Sequence, residues 1–202
     1  DLLEVTRAET GKLTLNPQLT PTDELVDEIL SALRIAAAGK GIALSEEIPG
    51  DLPLAYADPN RVRQILMNLI DNAIKFTPED GKITVQAEVF QEDPFFIRLA
   101  VSDTGCGISA EDRQRIFDSM YQAKESTASS RKGLGLGLFI CKELVSRHGG
   151  RIWVESEPGK GAEFRVYLPA DEAAADEPPA TDGQAPPAPR GRGELVLVVD
   201  DD

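Results

Sequence analysis

Asn68, Asn72 and Lys75 stand four and three positions apart, the spacing that sets side chains on one face of an α-helix. Gln64 extends the same row by one turn. An amide oxygen can ligate a metal ion, and amide N–H and ammonium groups can hold phosphate, so such a row can line a polyphosphate pocket. The plain alternative is a solvated helix face. A second stretch, Asp103-Thr104-Gly105-Cys106-Gly107-Ile108, ends an alternating run in which Ile97, Leu99, Val101 and Asp103 share a side. If Leu99 and Val101 face the core, Asp103 aims its carboxylate inward, where it needs a donor such as a purine amine. Gly105 and Gly107 permit close backbone approach, although a turn would also favour these residues. In the third, Lys132-Gly133-Leu134-Gly135-Leu136-Gly137-Leu138, glycines alternate ahead of a helix, leaving N–H groups to cradle phosphate or forming a hinge. It is neither a Walker A loop nor a dinucleotide fingerprint. His148, the single histidine, stands before Gly149-Gly150 at a helix end, which predicts a structural role there.

The positioning elements are signalled locally. Asp58 suits an N-cap and Pro59 a first helical position, Thr77-Pro78 a stop, and the helix is expected over 61–76. Val62, Ile65, Leu66, Leu69, Ile70 and Ala73 form its apolar stripe. Further helices are expected from Thr22 to a stop at Gly39-Lys40-Gly41, over 109–117 and over 135–148. Strands are expected within 13–20, 42–48 and 54–57, with hairpins from 82–90 with 95–103 and from 151–157 with 162–168. Residues 118–132, poor in apolar side chains, read as a loop. Strands and helices that do not strictly alternate predict an α+β fold, helices on one face of a mixed sheet.

With 202 residues, 41% hydrophobic and 28% charged, the chain can bury one good-sized core. A net charge of −14 argues against nucleic acid as a partner, so any polyphosphate site must be built locally. Cys106 and Cys141 have no zinc or disulfide spacing and read as free thiols, consistent with the cytoplasm. No apolar run approaches the roughly 20 residues of a membrane span, so no direct membrane contact is expected. The organisation expected is a helix end at 1–12, a core domain at 13–169, an acidic Pro/Ala-rich linker at 170–193 and the start of a further domain at 194–202, as in a piece of a longer protein.

The three motifs, in this order, resemble the catalytic ATP-binding domain of a two-component sensor histidine kinase. Asn68 to Thr77 resembles its N box and Asp103 to Ile108 the first glycine box. Arg115 to Gln122 resembles the phenylalanine box and Gly133 to Leu138 the second glycine box. The resemblance implies a Bergerat two-layer α/β sandwich, mostly antiparallel, with ATP and Mg²⁺ as cofactors. It implies Asn72 as metal ligand, Asn68 and Lys75 on phosphate, and Phe76 against the nucleotide. It also implies Asp103 on the adenine amine and Gly105, Gly107 and Ile108 as the adenine wall. Residues 109–132 would be the ATP lid, with Gly133, Leu134, Gly135, Leu136 and Gly137 around the phosphates. Residues 1–12 resemble the end of a dimerisation helix, and Leu197 to Asp202 resembles the first strand and acidic cluster of a receiver domain, as in a hybrid kinase. The implied partners are ATP or ADP, a histidine-bearing dimerisation domain of the same protein and a receiver aspartate. The phosphoacceptor histidine stretch itself is absent.

Three departures stand out. Ser119-Met120 replaces a common Pro-Phe, Leu134 a small polar residue, and Glu163 stands where a threonine is expected to support adenine. Related hydrolases such as DNA gyrase and MutL carry a glutamate four residues before the metal asparagine. Here that residue is Asn68, which favours phosphoryl transfer over hydrolysis. An anti-sigma-factor-type serine kinase and a nucleotide-sensing pseudokinase module are the alternative readings.

Overall fold

The computed structural model describes residues 13–123 and 134–171. The expected segments 1–12 and 194–202, most of the linker, and Gly133 lie outside the described residues. In chain order the elements are β1 (Gln18–Thr20), α1 (Thr22–Ala38), β2 (Ala43–Glu47), β3 (Ala55–Ala57) and α2 (Pro59–Phe76). They continue with β4 (Lys82–Val89), β5 (Phe96–Asp103), α3 (Ala110–Arg113), α4 (Gly137–Arg147), β6 (Arg151–Ser156) and β7 (Ala162–Pro169).

Five strands form the main sheet in the order β2-β4-β5-β7-β6, and β1 pairs with β3 in a small second sheet. The β2–β4 pair is parallel and the rest of the main sheet antiparallel. Both expected hairpins are present. Ala170 and Asp171, assigned in sequence to the linker, still belong to the fold: Ala170 bridges to Ala55, and the Asp171 N–H bonds to the Leu54 carbonyl.

Alternation decides the two sheet faces. Ile97, Leu99 and Val101 of β5 and Phe164, Val166 and Leu168 of β7 enter the core with the helices. The other face carries polar and aromatic side chains. Trp153 stacks on Tyr167 at 4.4 Å, and Arg165 pairs with Glu155 and Glu163. The apolar stripe of α2 supplies Val62, Ile65, Leu66, Leu69, Ile70, Ala73 and Ile74, all buried. Each large one contributes about 1.5–3 kcal/mol by leaving water. This packing fixes the rotation of α2, and so the direction of its polar row. The helix expected over 109–117 is shorter than its sequence implied: only Ala110–Arg113 is helical, and turns carry the chain onward. Ser109 caps it, accepting from the Asp112 N–H.

Candidate functional site

Asn68, Asn72, Lys75 and Phe76 of α2, Asp103 at the end of β5, and Leu134 to Gly137 all line one cleft of about 520 Å³. The row on α2 reaches it because the neighbouring stripe is buried against the sheet. The Asn72 amide has no hydrogen-bond partner among the described residues. Asn68 is engaged from behind: it hydrogen-bonds the Cys141 thiol of α4, and an added Cβ on Gly137 would lie 3.7 Å from its amide. Burial pushes the Cys141 thiol up to about 12, so it is a neutral packing group. The Lys75 ammonium lies 5.0 Å from the Phe76 ring centre.

Asp103 points inward, as its alternation with Leu99 and Val101 predicts. Its Oδ1 accepts from the Gly105 N–H at 2.7 Å, and the Ala162 N–H also donates to the carboxylate. Burial nevertheless holds its pKa above the ordinary carboxylate range, the two N–H donors offsetting only part of that. A half-buried carboxylate short of donors is poised for one from a ligand.

The glycines act in two ways. Gly105 does not line the cleft; its N–H holds Asp103. Gly107 does line it, at φ +71, and an added Cβ would sit 2.0 Å from the Glu157 carbonyl oxygen. The loop is tied down on that side. Gly159 donates its N–H to the Cys106 carbonyl at 2.7 Å, and Ile108 donates to Ser156 Oγ at 2.8 Å.

The described base of the expected lid is also held. Tyr121 OH and Ser109 Oγ both donate to Asp112, each at 2.6 Å. This bond is the main reason the Tyr121 pKa lies above its usual value. Gly135, at φ +69, packs so tightly on Tyr121 that a Cβ would lie 2.6 Å from the Tyr121 carbonyl oxygen. The two ends of the loop therefore meet. Beyond Gly135, α4 starts at Gly137 with no side-chain cap at Leu136 and no acidic residue in its first turn. Its open N–H groups give the cleft a positive pole.

One expectation changes. Glu163 does not face the site: it accepts from Ser102 Oγ at 3.1 Å and pairs with Arg165 on the opposite sheet face. The strand position beside Asp103 is Ala162, its register partner, which brings a backbone N–H and no hydroxyl. Cys106, Tyr121, Ala162 and Phe164 line the cleft without having been singled out. Ala162 and Phe164 were recoverable from the apolar alternation of β7; Cys106 and Tyr121 lie inside two of the family-like stretches, but their residue types do not mark them as lining side chains.

His148 stands apart from the cleft chemistry. Its Nδ1 lies 2.7 Å from the Leu144 carbonyl and its Nε2 accepts from the Asp58 N–H at 3.0 Å. This assigns the proton to Nδ1 and makes the ring a brace between the end of α4 and the start of α2.

An open-faced five-stranded sheet, backed by helices and carrying an asparagine-lined cleft at one end, defines a nucleotide-binding ATPase class. Residues 57–172 match the Histidine kinase-, DNA gyrase B-, and HSP90-like ATPase family, and the chain belongs to it. It is 40% identical over 169 residues to the adaptive-response sensory kinase SasA of Nostoc sp., an overlap of 84% of this chain and 41% of that protein. The chain thus spans under half the length of the curated relatives it matches. The full-length ShkA structure in complex with AMPPNP superposes with a TM-score of 0.73 at 31% identity, covering 84% of this chain and 35% of ShkA. The catalytic domain of histidine kinase ThkA superposes at 0.65 with 28% identity, covering 78% of this chain and 97% of that domain. The described core thus has the fold of a histidine-kinase catalytic domain. Among the described residues no helix is long and apolar enough to cross a membrane.

Proposed function

We propose that the cleft binds Mg-ATP and that the domain transfers the γ-phosphoryl group to a histidine on a separate dimerisation helix pair, from which it passes to a receiver aspartate. The observation that carries this reading is the convergence of Asn72, Lys75, Asp103 and the uncapped start of α4 on one cleft. Asp103 accepts from the adenine amine. Asn68 and Lys75 hold phosphate oxygens, with the α4 N–H groups opposite them. Phe76 and Ile108 exclude water from the base.

The donor set fits magnesium. No group of three His, Cys, Asp or Glu that could hold a metal is present among the described residues. An ion here would rest on the nucleotide phosphates and the unpartnered Asn72 oxygen, and Mg²⁺ prefers such sparse protein ligation. When bound, it would neutralise charge on the phosphates. The chain's own residues orient the γ-phosphorus so that an imidazole nitrogen can form the N–P bond as the P–O bond to ADP breaks. Asn68, held by Cys141, has no carboxylate with which to activate water.

Labelled ATP and a histidine-bearing dimerisation domain added in trans test this. Acid-labile, base-stable label on the added domain is expected, and none on the chain alone. Label on His148, on serine, or on nothing would overturn it.

A further inference from the structure

We propose that Lys40 is a positioning residue for the nucleotide, neutralising the negative pole of α2 from behind while it holds the last turn in place. This rests on the reading of the cleft as a nucleotide site. That reading puts phosphates beside Asn72 and Lys75, in the last turns of α2. The C-terminal end of a helix carries about half a negative charge and unpaired carbonyls, so it is the wrong end for an anion. Lys75 is the single basic residue in the last turn of α2. The helix lacks a left-handed glycine cap: Thr77 at its end is extended, with φ −77 and ψ 130.

Lys40 lies in the loop after α1, 34 to 37 residues away in sequence, and takes over that role. Its Nζ donates to the carbonyls of Ile74 at 2.7 Å, Lys75 at 3.2 Å and Thr77 at 3.4 Å. No carboxylate pairs with this ammonium among the described residues, and its charge is directed at the three carbonyls of the helix end. The loop is pinned there. The Asp80 N–H donates to the Lys40 carbonyl at 3.3 Å, and Gly41 holds the left-handed φ of +67 with the Asp80 carboxylate 2.7 Å from where a Cβ would stand. On the other side the Phe76 carbonyl is packed by Gly105, where an added Cβ would be 2.7 Å away. Lys40 therefore clamps the turn that carries Lys75 and Phe76 against the loop that holds Asp103.

Charge and bracing separate by ligand. ADP and adenosine share a base and differ in phosphate charge. Affinities are measured at a temperature where circular dichroism shows each variant folded, by calorimetry for ADP with Mg²⁺ and by NMR titration for adenosine. Lys40→Met is expected to lose about tenfold in ADP affinity while adenosine affinity stays within about twofold. Lys40→Gln, which keeps a donor and removes the charge, shows the same split, and Lys40→Arg restores ADP binding. If Lys40→Met does not fold, the Gln and Arg variants carry the comparison. Equal losses for both ligands, or unchanged ADP affinity in Lys40→Gln, overturn the proposal. Failure of the unmodified chain to bind Mg-ADP overturns instead the reading of the cleft.

Discussion

The N-termini of α2 and α4 are built in opposite ways. At α2 the Asp58 carboxylate accepts from the N–H groups of Asn60 and Arg61 and also from Asn16, and Pro59 removes a further donor. The Asp58 N–H is itself taken by His148. At α4 the cap position is Leu136, whose side chain accepts nothing, and no acid enters the first turn. Both ends are partly enclosed by protein. The fold closes one with four of its own residues and leaves the other open toward the cleft. Unsatisfied N–H groups are costly, and under the proposed function a phosphate is what completes this end among the described residues. The two ends divide the molecule into groups spent on stability and groups held for a ligand.

That division can be broken by substitution. The largest effect is expected at the ligand end: Asp103→Ala removes the acceptor for adenine and lowers Mg-ADP affinity about 100-fold, with the melting temperature not reduced. Calorimetry beside thermal melts checks both halves. Asp58→Ala reverses the pattern. It leaves without their acceptor two N–H groups at the start of α2 and that of Asn16, and costs about 2 kcal/mol by denaturant titration, with ADP affinity of the folded protein unchanged. A loss of affinity there would remove the distinction between the two ends. Gly137→Asp converts the open end toward the closed kind. The nearest neighbour of an added Cβ is Asn68 at 3.7 Å, an ordinary contact distance. A carboxylate in the first turn stabilises α4 by about 0.3–1 kcal/mol and repels phosphate, so ADP affinity falls about tenfold while the melting temperature holds or rises.

The smallest effect concerns pH. Burial raises the folded-state pKa of Asp103 above the ordinary aspartate value of 3.8, so folding favours the protonated form. The stability this contributes is fully present below pH 3.8 and is lost as pH rises through the folded-state value. Asp103→Asn is therefore expected to raise the melting temperature at pH 7, with the gain shrinking toward pH 4, while ADP binding weakens. A gain independent of pH would show that the carboxylate is not strained by burial.

Much of this was legible in the sequence, and the legible parts are local. The cap of α2, its stop at Thr77-Pro78 and its apolar stripe lie within one stretch, so the direction of Asn72 and Lys75 could be read from spacing. The inward aim of Asp103 followed from the period of two on β5. What escaped depends on pairing across the chain. Glu163 stands, by family resemblance, where a threonine would support adenine. The register Asp103↔Ala162 sets it on the other face, one residue out of phase. The helix over 109–117 was cut short after Arg113, and the chain turns to bring Tyr121 back onto Asp112. Lys40 gave no signal because its three acceptors lie on another helix end.

The most direct test of the account is calorimetric titration of Mg-ADP into the unmodified chain and into Asn72→Ala. The account predicts clear magnesium-dependent binding to the former and about a 100-fold loss in the latter at equal thermal stability. Equal affinity in the two proteins would contradict it.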